Sequence, residues 1–94
     1  MITVKAHIKF YENGRKLPFY SGYRPLFRFI EETATSGSIE LIDREKFYPG
    51  DEGVVKIKFL FREYLGNDFA EGKKFTFAEA LKALGEGIII EILQ

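Results

Sequence analysis

Over residues 2–10 every second residue is apolar: Ile2, Val4, Ala6, Ile8 and Phe10 alternate with Thr3, Lys5, His7 and Lys9. That two-residue period sends one face of an extended chain into a core and leaves the other, here basic, in water. The pattern recurs over 54–62, where Val55, Ile57, Phe59 and Phe61 alternate with Lys56, Lys58, Leu60 and Arg62. Two half-buried strands need partners for their backbone groups and a second layer for their apolar faces. The chain is thereby constrained to a sheet structure.

Shorter β-prone runs occupy residues 17–20, 26–30, 39–42, 74–77 and 88–93. Pro18 and Pro25 lack a backbone donor and belong at strand starts, edges or bulges. Asn13-Gly14 predicts a chain reversal that opens a hairpin after the first strand. Tyr48-Pro49-Gly50-Asp51 reads as a turn, with Pro fixing one φ and Gly supplying the permissive position. Gly66-Asn67 and Glu71-Gly72 are further breaks, and the small polar residues 31–38 read as a loop. Frequent turns between short strands point to an all-β barrel or sandwich. One segment departs from this. Thr76 and Glu79 have capping-box spacing, residues 80–84 are rich in Ala and Leu, and Gly85 follows, so local propensity predicts a short helical turn at 77–84.

With 94 residues, the sequence supports one hydrophobic core and reads as a single domain, 1–94. Lys plus Arg and Asp plus Glu both number 14, so no whole-molecule field steers the chain toward nucleic acid or anionic lipid. Cysteine is absent, which removes disulfides, thiolate metal sites and thiol nucleophiles. The first residues lack the basic start and apolar stretch of a signal peptide, and no run has membrane-spanning length. The expectation is a soluble cytoplasmic protein that does not engage a membrane. No GxxxxGK[ST] loop is present, so GTP binding by this chain is not expected. His7 is the single histidine and has no histidine or cysteine to share a metal with. Glu31-Glu32 and Asp51-Glu52 lie in apparent loops, where adjacent carboxylates need not aim at one site. Neither an enzyme nor a cofactor is expected.

The stretch Gly14-Arg15-Lys16-Leu17-Pro18-Phe19-Tyr20-Ser21-Gly22-Tyr23-Arg24-Pro25-Leu26-Phe27-Arg28-Phe29 resembles the start of the third, C-terminal domain of translation elongation factor Tu. That family reads approximately GRHTPFFxGYRPQFYF there. Ser36-Gly37-Ser38-Ile39-Glu40-Leu41 resembles its TGxIxL, Pro49-Gly50-Asp51 its PGD turn, and residues 72–89 keep the spacing of its last two strands. The resemblance covers residues 3–93 and implies a closed, six-stranded antiparallel barrel. In the family this domain packs on a GTPase domain and a second domain, and it touches the T stem of aminoacyl-tRNA. The present chain reads as the barrel alone.

What the resemblance implies for contact residues is uneven. Arg15 matches a family arginine, Lys16 replaces a histidine, and Ser36 stands for a threonine. The family's REGGRT becomes Ala78-Glu79-Ala80-Leu81-Lys82-Ala83, which keeps Glu79 and a cation but loses an arginine and both glycines. Retained barrel sequence beside an altered loop favours a noncatalytic binding module that engages a protein, with a component of translation as the candidate. The alternative is tRNA or another structured RNA held by a local basic patch. The residues expected to make contact are Arg15, Lys16, Tyr23, Arg24, Ser36, Glu79, Leu81 and Lys82.

Overall fold

The computed structural model describes residues 1–93 and holds six strands: β1 (Ile2–Phe10), β2 (Leu26–Ile30), β3 (Thr33–Leu41), β4 (Glu52–Phe59), β5 (Lys74–Glu79) and β6 (Lys82–Ile92). All neighbours are antiparallel, and the order β1-β4-β3-β2-β5-β6 closes on itself as a barrel. Closure gives each strand a partner on both sides and so removes sheet edges. A short 3-10 turn at Arg62–Tyr64 lies in the β4–β5 connection. No helix among the described residues is long and apolar enough to cross a membrane.

The alternation read from the first strand sets its packing. Ile2, Val4, Ala6, Ile8 and Phe10 all face the core, as do Val55, Ile57 and Phe59 on β4. Aromatic rings fill most of the interior, with Phe27 edge-on to Phe59 at 5.1 Å and Phe10 edge-on to Phe19 at 5.2 Å. Rings at these separations add to the gain from burying their area.

The helical turn expected at 77–84 is absent. Residues 74–79 and 82–92 are strands of one hairpin, with Ala80 and Leu81 at its tip. Across that hairpin Phe75 stands opposite Gly87 and Phe77 opposite Gly85. A Cβ on Gly85 would collide with the Phe77 ring and with the carbonyl oxygen of Lys9. Gly85 is therefore the floor on which Phe77 lies, not a helix stop. Burial of two phenylalanines and pairing on both sides outweigh the modest helix propensity of Ala and Leu. The strain falls on Ala80, the one non-glycine residue with positive φ (53°) among the described residues.

The alternating strand read over 54–62 stops at Phe59, so Phe61 is exposed and does not face the core. Three further expectations change. Asn13-Gly14 opens no hairpin, because β1 pairs with β4 and β6; Gly14 instead packs under Leu84, whose Cδ2 would stand 2.9 Å from a Cβ there. The segment 31–38 is largely strand, since β3 begins at Thr33 and only Glu31 and Glu32 form the turn. Its Thr35 and Gly37 face inward, and a Cβ on Gly37 would meet the Phe59 ring at 2.8 Å. Residues 17–20 form no strand; Phe19 makes an isolated bridge to Phe47. The turn at Tyr48-Pro49-Gly50-Asp51 is present, with Gly50 at φ 92° and the Asp51 amide donating to the Tyr48 carbonyl at 2.9 Å.

Candidate functional site

The β5–β6 hairpin tip and the long β1–β2 connection meet at one end of the barrel. Residues 75 and 77 point inward on β5, so Glu79 carries the same parity to the barrel's mouth. There its carboxylate accepts a hydrogen bond from Arg15 Nη1 at 2.8 Å and another from the Tyr23 hydroxyl. The Arg15 guanidinium also lies over the Tyr23 ring, 5.0 Å from its centroid. Residues 15, 23 and 79 thus form a closed polar clasp tying the β1–β2 connection to the hairpin. Tyr23 titrates well above the ordinary range of a phenol; burial is the main cause, the hydrogen bond to Glu79 adds to it, and Arg15 opposes it.

Beneath the clasp runs an aromatic column. Tyr23 stacks on Phe19 at 4.6 Å, Phe19 stacks on Phe47 at 5.2 Å, and the Arg44 guanidinium covers the far side of Phe47 at 4.8 Å. Three rings are closed at both ends by arginines, each placed for a cation–π contact. The column explains why Gly22-Tyr23-Arg24-Pro25 holds its shape without a regular strand. The Gly22 amide donates to the Ile39 carbonyl at 2.8 Å, the Ile39 amide donates to the Tyr23 carbonyl at 2.8 Å, and Gly22 takes φ 98°.

Of the eight residues expected to make contact, Arg15, Tyr23 and Glu79 come together, and Leu81 and Lys82 sit beside them on the hairpin. Lys16 follows Arg15 and is exposed. Leu81 projects from the tip with 95% of its surface exposed. Arg24 and Ser36 lie outside this cluster. Arg24 shares a small surface hollow with Ser38 and Lys58, while Ser36 stands opposite Leu26 on the outer face of β3.

Leu17 belongs to the site and was not among the expected contacts. With Pro18, Phe19 and Tyr20 it lines a groove of about 370 Å³ that also includes Arg15 and Tyr23. Leu17 is 68% exposed and Tyr20 54%. Nothing in the sequence marked it, because residues 17–20 read as a β-prone run in which a strand would bury the leucine.

The basic strand faces are interleaved with acids. Lys5 and Lys56 stand directly opposite one another across β1 and β4, but Lys5 is flanked by Glu91 on β6 and Lys56 by Glu40 on β3. Lys58 reaches Glu40 at 3.1 Å, and His7 lies 3.6 Å from Glu52. No family model matches this chain.

Proposed function

We propose that this chain is a noncatalytic binding module that engages a protein through the end of the barrel carrying Leu81. The observation supporting this reading is a leucine almost wholly in solvent at a hairpin tip whose base is fixed by the Arg15–Glu79–Tyr23 clasp. An exposed leucine alone is ordinary. Here the clasp that fixes the base of its hairpin also lines a groove exposing Leu17 and Tyr20, so the backbone presenting these apolar side chains is held by hydrogen bonds and ring stacking, and a preorganised frame reduces the entropy lost on binding. The resemblance to the third domain of elongation factor Tu supports reading the partner as a component of the translation machinery and the module as cytoplasmic. Neither a cofactor nor GTP enters this reading.

A protein partner is favoured over RNA by the state of the cations. Arg15, the one cation lining the groove at this end, is committed to Glu79, and Lys58 on the strand face is committed to Glu40; Lys16 and Lys82 are exposed and make no ion pair among the described residues, but they do not line the groove. An RNA-binding surface would instead gather uncommitted cations along one groove. The RNA reading requires affinity that falls with salt and with charge reversal at Arg15 and Lys16. The protein reading is tested by capture from lysate with the wild-type chain and with Leu81→Asp, each with and without ribonuclease. A protein retained by the wild type, lost with the variant and indifferent to ribonuclease supports it; capture that ribonuclease abolishes overturns it.

A further inference from the structure

The opposite end of the barrel carries a second apolar surface. Ile2 stands opposite Phe59, which brings Met1 beside Leu60, and these two line the hollow that Arg24, Ser38 and Lys58 border. On the other flank of β1 the Leu93 amide donates to the Thr3 carbonyl at 2.8 Å. Phe61 and Tyr64 follow from β4 and meet edge-to-face at 5.9 Å. All five of these side chains are exposed. The turn presenting the aromatic pair is anchored, since Leu65 is fully buried and its amide closes the turn on the Arg62 carbonyl at 2.9 Å. Arg62 also covers the ring of buried Phe69, 5.6 Å from its centroid.

From this arrangement we infer that the Met1, Leu60, Phe61, Tyr64 and Leu93 surface is the interface of a two-fold homodimer. Three observations select a second copy as the occupant. The first is area: five large side chains, from 38% exposed at Leu93 to 73% at Met1, offer roughly 500 Å² per copy and about 1,000 Å² across a two-fold contact, which reaches the lower bound of a specific but reversible interface. The second is charge at the margin. Arg62 and Glu63 are adjacent, opposite in sign and exposed, and neither makes an ion pair among the described residues. A two-fold axis sets each against the other's counterpart, the self-complementarity an isologous contact needs. The third is the formal net charge of zero, which leaves no long-range repulsion between copies.

The dimer would direct its two Leu81 ends away from each other. Combined with the proposed role of that end, the assembly becomes a bivalent bridge in which a partner with two sites gains avidity without new contacts.

Sedimentation equilibrium across low to high micromolar concentration, with the full chain, tests the inference. The expected result is a mass rising from 10.9 kDa toward twice that value with concentration. Leu60→Asp and Phe61→Asp should each weaken association tenfold or more, while Leu81→Asp leaves it unchanged. Circular dichroism on each variant confirms that the barrel is intact, as expected for exposed positions. A monomer at every concentration overturns the inference. So does a dimer that both interface variants leave at full strength, because its contact then lies elsewhere.

Discussion

The ring of Phe77 occupies the space that a side chain at Gly85 would need. The pair stands directly opposed across β5 and β6, with the Lys9 carbonyl of β1 closing the third side. Gly85→Ala should therefore lower the unfolding free energy by about 3 kcal/mol, at the upper end for overpacking because backbone as well as ring must move. Urea denaturation measures it, and a loss within error of zero would mean that the hairpin yields easily.

Ala80 holds the opposite prospect. Its φ of 53° costs an L-residue energy that glycine does not incur. Ala80→Gly should raise stability by about 0.5–1 kcal/mol, after allowing for glycine's greater freedom in the unfolded chain. Thermal and urea unfolding both read this, and unchanged stability would mean the turn is unstrained.

The hairpin shows where the sequence misleads. Residues 76–85 carry a capping box, good helix formers and a terminal glycine, which agree locally on a helix. They are overruled by contacts with residues far away in the chain: Lys9 above Gly85, Gly14 beneath Leu84, Arg15 on Glu79. β1 and most of β4 were legible because alternation is a property of neighbours. β3 was obscured because its inward positions include Thr35 and Gly37, neither of which looks hydrophobic, and Gly37 is small because the Phe59 ring takes the space a side chain would need. At the candidate site the cationic and aromatic residues were visible, but the sequence does not reveal that Arg15 and Glu79, sixty-four positions apart, neutralise one another.

That ion pair is expected to contribute little to stability by itself. Both side chains remain partly in solvent, and exposed pairs are typically worth about 0.2–1 kcal/mol. A double-mutant cycle with Arg15→Ala and Glu79→Ala should give a coupling in that range, decreasing with salt. Its role lies in holding the hairpin base, so Glu79→Gln should increase hydrogen exchange at the tip more than it changes the melting temperature.

Tyr23 makes stability depend on alkaline pH. Burial and the bond to Glu79 raise its pKa in the folded state above the ordinary 10.0. Between those values the unfolded chain loses the proton while the folded chain keeps it, so unfolding becomes easier as pH rises. The stabilisation is complete below about pH 10 and declines above it. Phenolate absorbance should show Tyr23 ionising later than an ordinary phenol. Tyr23→Phe should flatten the decline in unfolding free energy above pH 10, and an unchanged decline would assign it to other groups.

The most direct measurement of the binding account is capture by the wild-type chain set beside capture by Leu81→Asp. The substitution lies at an exposed tip and should leave stability within about 0.5 kcal/mol. The account predicts that the variant folds normally and loses a protein partner that the wild type retains in the presence of ribonuclease. Retention of the same partner by both chains would contradict it.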